Sequence, residues 1–101
     1  FTFTAVDERE PVQNTRLLKQ NYPNPFNPTT KIMFDLVTFY SVTLKIYNSL
    51  GAEVLTLLDE ELLGVGKQEL IFNASGLSSG TYYYRLTTPQ FNESKQMLLI
   101  K

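Results

Sequence analysis

The residues best suited to bind a ligand in this chain are three consecutive tyrosines and the arginine that follows them, at positions 82–85. Side chains alternate between the two faces of a strand, so Tyr82 and Tyr84 share one face while Tyr83 and Arg85 share the other. An exposed tyrosine beside an arginine can form an aromatic platform for a sugar. The plainer interpretation is that Tyr83 packs against a neighbouring strand at a solvent-facing position. Both interpretations stay open at this point.

Residues 59–61 (Asp-Glu-Glu) are a run of three carboxylates that could attract a cation such as calcium. Consecutive side chains point in different directions, however, and the run lacks the spaced oxygen ligands of a calcium loop. We therefore expect a solvated acidic turn and no metal site. Asn73 and Asn92 each begin a formal glycosylation motif, and we interpret both as turn residues.

The composition argues against an enzyme. The chain of 101 residues has no histidine and no cysteine. Without histidine the usual general base, the commonest metal ligand and any Ser-His-Asp triad are missing. Without cysteine neither a disulfide nor a thiolate metal site can form. A Ser-Lys pair has no support in the sequence, and we expect neither catalysis nor a cofactor.

The charge and hydropathy exclude further classes of protein. The formal net charge is −1, whereas a nucleic-acid-binding domain needs a clustered excess of lysine and arginine. No apolar run is long enough to cross a bilayer, and no N-terminal signal peptide is visible. The hydrophobic fraction of 43% suits one compact domain, which we interpret as the tail end of a longer protein.

The most informative segment is residues 21–30 (NYPNPFNPTT), which we call the proline box. Its prolines fix their own φ, remove three backbone donors and push the residues before them toward extended geometry. Asparagine amides can close local turns onto nearby backbone. The segment can be neither a helix nor a central strand, and we expect an ordered lead-in that places Tyr22 and Phe26 against the rest of the domain.

The remainder of the chain predicts an all-β, Ig-like antiparallel β-sandwich of about seven short strands. Apolar and polar residues alternate at 31–36 and 42–47, and turn residues recur about every dozen positions. Residues 48–51 are a turn in which Gly51 can take positive φ, and residues 59–63 could form a helical turn. Residues 1–16 are predicted to be the end of an upstream domain (1–6) and a linker (7–16), and residues 17–101 the domain itself.

Four segments in order resemble a known family: the proline box, residues 42–54 (VTLKIYNSLGAEV), 76–86 (GLSSGTYYYRL) and 95–101 (KQMLLIK). Together they are similar to the Ig-like C-terminal sorting domain of type IX secretion cargo. The resemblance covers residues 17–101. Ig-like domains of the flagellar hook-capping type share the general pattern, which leaves a non-secretory interpretation open.

The resemblance implies a non-enzymatic secretion signal of the Bacteroidetes and related bacteria. Such a domain directs its N-terminally linked cargo across the outer membrane through the type IX translocon. In many members a surface sortase then removes the domain and attaches the cargo to lipopolysaccharide, so the expected location is the cell surface or the exterior. The alternatives are a carbohydrate-binding or adhesion module using Tyr83 and Arg85, and a structural spacer.

The candidate recognition residues fall in three places. Gly80 and Tyr82 match the Gly-x-Tyr of the family, although strand entry and ring packing explain them structurally. The terminal strand carries apolar groups on both faces, so either it is covered on both sides or it shows a Lys-Met-Leu-Lys stripe to a partner. Its edge could also support β-augmentation or weak self-association. The full set is Asn24, Pro25, Phe26, Asn27, Pro28, Gly80, Tyr82, Lys95, Met97, Leu99 and Lys101.

Overall fold

The computed structural model describes residues 17–101 and contains six β-strands in that range. The upstream strand and the linker expected within residues 1–16 lie outside the described part. The strands are β1 (Thr29–Leu36), β2 (Tyr40–Asn48), β3 (Glu53–Leu63), β4 (Gly66–Asn73), β5 (Gly80–Thr87) and β6 (Asn92–Leu99). No helix that could span a membrane occurs between residues 17 and 101.

The strands form two antiparallel sheets that enclose one core, which confirms the predicted all-β sandwich. One sheet pairs β1 with β4, and the other has the order β3-β2-β5-β6. The central pair of the larger sheet sets Tyr47 opposite Tyr83 and Ile46 opposite Tyr84. The crossings of the chain between the sheets follow the Greek-key style of Ig-like domains.

Residues 17–22 add to the smaller sheet without being a regular strand. They form isolated antiparallel bridges to β1, Leu18 with Phe34 and Tyr22 with Lys31. We call residues 17–22 the lead-in. Since it runs along β1 on the side away from β4, it supplies the seventh element that the sequence predicted, as bridges rather than as a strand.

The core follows from the alternation of side chains along each strand. Ile32, Phe34 and Leu36 of β1 are buried, and Val42, Leu44 and Ile46 of β2 face them across the sandwich with at most 2% exposure. The alternating patterns in 31–36 and 42–47 therefore identified the core faces of these two strands correctly. From β5 the same core receives Tyr82, Tyr84 and Leu86, which confirms that Tyr82 and Tyr84 share a face.

Two predictions about the acidic run are wrong, namely the solvated turn at residues 59–61 and the helical turn at residues 59–63, and one local prediction is confirmed. Residues 59–63 are not a helical turn, because β3 continues through them to Leu63 with a bulge at Glu60, whose φ is 52°. Pairing with β2 across this bulge supplies the backbone bonds that a helical turn would have made locally. The turn at residues 48–51 is as expected, with Gly51 at a φ of 86°.

Candidate recognition site: the proline box clipped to the last strand

The proline box carries the chain from one sheet to the other. Up to Tyr22 the backbone pairs with β1, and four residues later Phe26 makes a parallel bridge to Leu99 of β6. The Phe26 amide donates to the Leu98 carbonyl at 3.0 Å, and the Ile100 amide donates to the Phe26 carbonyl at 2.9 Å. The peptide bonds before Pro23, Pro25 and Pro28 are cis. This pairing of Phe26 with β6 is called the clip below.

Side chains extend the clip along the outer edge of β6. The Leu98 amide donates to the Asn24 side-chain oxygen at 2.9 Å, and the Gln20 side-chain amide donates to the Gln96 carbonyl at 2.7 Å. The edge groups of β6 from Gln96 to Ile100 are thus largely occupied. The expectation that this edge is open for β-augmentation is wrong for this half of the strand, because the protein's own N-terminal segment already fills the position that an added strand would take.

Phe26 anchors the clip from inside. Its side chain is 2% exposed, and its ring lies 6.1 Å from the ring of Phe72 at an angle of 51°. The sequence therefore correctly singled out Phe26 as the aromatic that the proline box places against the domain. Tyr22, paired with it in that prediction, is 75% exposed and points to solvent. Residues 22–25 are all exposed, so this stretch does not alternate as a strand does, and the expectation that Tyr22 packs against the domain is wrong.

A buried polar network fixes the bend between the lead-in and the clip. The Asn21 side-chain amide donates to the Thr30 hydroxyl at 3.0 Å and to the Pro23 carbonyl at 3.1 Å. The Thr30 hydroxyl donates to the same carbonyl at 2.8 Å. Asn21 and Thr30 are 2% and 1% exposed, so each satisfies the other's buried polar groups.

Tyr84 holds the same bend from the opposite sheet. Its hydroxyl accepts a hydrogen bond from the backbone amide of Asn21 at 2.7 Å and donates one to the backbone carbonyl of Lys19 at 2.7 Å. Burial raises the pKa of the Tyr84 hydroxyl above its ordinary value, only partly offset by the hydrogen bond from Asn21. The list of candidate residues drawn from the sequence did not include Asn21, Thr30 or Tyr84. The available signal was a buried-face tyrosine, whose hydroxyl needs a partner.

Gly80 and Tyr82 hold the loop that precedes β5. Gly80 has a φ of 153°, a conformation that L-residues rarely adopt, although a Cβ there would meet no atom within 4 Å. Tyr82 is 7% exposed, and its hydroxyl donates to the Ser78 carbonyl at 2.7 Å. Both residues thus act on the backbone and the core, in line with the structural interpretation of the Gly-x-Tyr motif.

The two lysines near the end of the chain have different settings. The Lys101 ammonium donates to the Ser75 carbonyl at 2.8 Å and to the Leu77 carbonyl at 2.7 Å, and its amide donates to the Ser79 hydroxyl at 2.9 Å. Lys101 therefore ties the last residue to the loop before β5. Lys95 is half-buried and lies opposite Tyr84 in the β5–β6 register.

The orientation of β6 decides which apolar residues a partner can reach. Met97 and Leu99 are each 1% exposed, so the Lys-Met-Leu-Lys stripe is not displayed. The residues on the other face, Leu98 and Ile100, are 38% and 49% exposed. Recognition by contact with Met97 or Leu99 would require the strand to leave the core, because both side chains are enclosed by it.

An exposed surface remains around the clip, and it combines both ends of the domain sequence. Alternation about the bridge from Phe26 to Leu99 turns the flanking residues of both segments outward. Pro25 and Asn27, the neighbours of Phe26, are both exposed, as are Leu98 and Ile100, the neighbours of Leu99. The members of this clip surface are Pro25, Asn27, Leu98 and Ile100, and the exposed Lys101 follows Ile100 in the chain.

The remaining candidates lie away from the clip. Tyr83 is 38% exposed and lines a surface pocket with Arg85. The carboxylates of residues 59–61 are all exposed on β3, and no cluster of three metal-ligating side chains occurs in residues 17–101. Asn73 and Asn92 lie at strand ends, where their side-chain oxygens accept from the Ser75 amide and the Thr87 hydroxyl.

These features define the class of protein: an Ig-like β-sandwich whose N-terminal segment is clipped onto its last strand. The family model for the secretion system C-terminal sorting domain matches residues 20–101, and the chain belongs to that family. This confirms the resemblance to type IX sorting domains. Membership implies secretion through the outer membrane and interaction with the secretion machinery. A comparison with curated proteins found no match to this chain.

Proposed function

We propose that the domain is a folded, non-enzymatic export signal whose clip surface is bound by the outer-membrane translocon of the type IX system. One observation carries the proposal: the proline box and the C-terminal strand, which hold much of the family resemblance, are hydrogen-bonded into one surface through Phe26. A receptor at this surface contacts the proline box and the last strand at the same time. It therefore distinguishes a folded domain from either segment in isolation.

The direction of the chain supports this assignment. The chain enters the described domain at Leu17, whose carbonyl accepts from the Asp35 amide at 3.1 Å and whose own amide donates to the Glu93 carboxylate at 2.9 Å. Glu93 and Leu99 lie six residues apart on β6, which corresponds to about 20 Å at the rise of a strand. Cargo linked before Leu17 therefore leaves the clip surface open to a receptor.

The residues proposed from the sequence take two roles in this account. Pro25, Asn27 and Lys101 present contacts, together with the exposed Leu98 and Ile100 that replace the buried stripe. Another group shapes the surface from within: Asn24, Phe26, Pro28, Gly80, Tyr82, Lys95, Met97 and Leu99.

After export, a surface sortase removes the domain and joins the cargo to the cell surface. The cut falls before Leu17, because Leu17 and Leu18 are 7% and 3% exposed and their amides are bound to Glu93. A protease needs extended, accessible backbone, which these two residues do not offer.

The experiment that tests export is a fusion of residues 17–101 to the C-terminus of a periplasmic reporter in a type IX-competent host. The reporter should reach the cell surface or the medium. The same fusion in a strain without the translocon, and the reporter without the domain, should both stay in the periplasm. Periplasmic retention of a folded fusion in the competent strain would contradict the proposal.

A further inference from the structure

The outer face of the larger sheet contains a pocket that the export function does not use. Tyr47, Gly51, Tyr83, Arg85 and Ser94 line a cavity of about 280 Å³. The pocket lies between the β2–β3 turn and the middle of β5 and β6. Its volume is close to the lower limit of about 300 Å³ for small-molecule pockets, so it suits one ring-sized group.

Arg85 is held in place at the wall of this pocket. Its guanidinium carbon lies 5.2 Å from the centre of the Tyr47 ring, and its Nε donates to the Ser94 hydroxyl at 3.3 Å. These contacts use the ring-facing side and the Nε–H of the guanidinium. Within residues 17–101 its terminal nitrogens make no hydrogen bond, so they offer the planar fork of donors that binds a carboxylate in two parallel hydrogen bonds.

Tyr83 supplies the second requirement, an accessible ring. Its side chain is 38% exposed and lies directly opposite Tyr47 in the β2–β5 register. Arg85 covers the Tyr47 ring, so Tyr83 is the aromatic of the pair that remains for stacking. The C–H face of a pyranose packs on such a ring, while a neighbouring charged side chain fixes its orientation.

A second, polar pocket continues along the same face. Ser41, Thr43, Glu60, Thr87 and Thr88, with Pro89, line a cavity of about 360 Å³. Tyr83 and Thr87 are four residues apart on β5, or about 13 Å at the rise of a strand. Hydroxyls and one carboxylate suit the hydroxyl groups of a neutral sugar, and that spacing suits a chain of two or three sugar units.

We propose that this face binds a short acidic oligosaccharide, with a carboxylate-bearing pyranose on Tyr83 and Arg85 and its neighbours extending toward Thr87. Charge complementarity selects the occupant, because Arg85 provides a cationic fork at one end and Glu60 excludes a second acid group at the other. The site is independent of export, since its residues are separate from the clip surface.

The test is an NMR titration of the 15N-labelled 101-residue chain with galacturonate and with galactotriose whose terminal unit alone is oxidised to galacturonate. Galactose and galactotriose serve as the matched neutral probes. Arg85→Gln removes the charge but keeps the size of the side chain, and Tyr83→Ser removes the ring. Lys67→Gln, an exposed lysine on the smaller sheet, is the control variant, and the melting temperature of each variant verifies its fold.

The expected result is a set of amide shifts confined to the residues of the two pockets, with a Kd on the order of 1 mM for the acidic sugars. Arg85→Gln and Tyr83→Ser should each weaken binding at least about tenfold, and Lys67→Gln should leave it unchanged. Equal binding of galactose, unchanged binding by Arg85→Gln, or no shifts at all would overturn the proposal. So would a response to triglutamate alone, because it would identify the site as one for acidic peptides.

Discussion

The hydroxyl of Tyr84 accepts a hydrogen bond from the backbone amide of Asn21 at 2.7 Å, across 63 residues of sequence. Tyr84 belongs to the larger sheet, whereas Lys19 and Tyr22 form backbone hydrogen bonds to β1 of the smaller sheet. This single contact therefore links the two sheets at the point where the chain turns into the proline box.

Tyr84→Phe should destabilise the domain by about 2 kcal/mol, because it leaves the buried Asn21 amide and the Lys19 carbonyl without their partner. The ring itself is kept, so no cavity forms. Urea unfolding of the variant and the parent protein measures the difference. Tyr83→Phe, which changes an exposed hydroxyl, should alter stability by less than about 0.5 kcal/mol. Equal stability of Tyr84→Phe and the parent would show that water replaces the hydroxyl.

Tyr84 also predicts a loss of stability in alkali. Burial raises the pKa of Tyr84 in the folded state, whereas a tyrosine in the unfolded chain has a pKa of about 10. The folded state keeps the proton that the unfolded chain loses, so the contribution is complete below pH of about 10. Above that pH it declines by up to about 1.4 kcal/mol per unit. Unfolding curves from pH 8 to 12 should show a steeper decline in the parent than in Tyr84→Phe, and parallel curves would contradict the assignment.

Phe26→Ala should cost about 3 kcal/mol, because it empties a buried site against Phe72 and removes the anchor of the clip. Tyr22→Ala is the matched control from the same proline box. Its ring is 75% exposed, and its loss should cost less than about 0.5 kcal/mol. Chemical denaturation of both variants and of the parent protein measures the two losses in the free energy of unfolding. Similar costs for the two would mean that the ring of Phe26 is not the anchor.

Gly80→Ala should destabilise the protein by about 1–3 kcal/mol through backbone strain alone. The chain offers a close control in Gly76, since a Cβ at either position meets no atom within 4 Å and only Gly80 has a positive φ. Gly76→Ala should therefore be near neutral or slightly stabilising. Thermal unfolding compares the two variants directly, and an equal effect would remove the backbone argument for the glycine of the Gly-x-Tyr motif.

The sequence predicted the parts of the fold that follow from local periodicity and turn chemistry. The alternation at Ile32 and Phe34 gave the core face of β1, and Gly51 gave the turn after β2. The acidic run at 59–61 was misread as a helical turn, because its local composition hides a strand that is fixed by pairing with β2. Tertiary pairing overrides local preference in such edge strands.

The sequence predicted which segments form the candidate site, but not which of their side chains are exposed. Composition singled out the proline box and the terminal strand, yet the terminal strand is apolar on both faces. Periodicity alone cannot then tell whether Met97 or Leu98 faces the core. The choice is made by the register between β5 and β6, which sets Met97 opposite Tyr82 and turns both inward. The contact of Tyr84 with Asn21 is equally invisible to sequence, because it joins residues of different sheets.

The measurement that tests the central claim most directly is export of a reporter whose sorting domain carries Leu98→Ser and Ile100→Ser together. These substitutions change the exposed part of the clip surface but keep the backbone bonds to Phe26. The matched control is Leu55→Ser with Leu62→Ser, two leucines of β3 that are 40% and 71% exposed. Unfolding curves verify that both variants fold. The clip-surface variant should be retained in the periplasm while the control is exported, and normal export of a folded clip-surface variant would contradict the account.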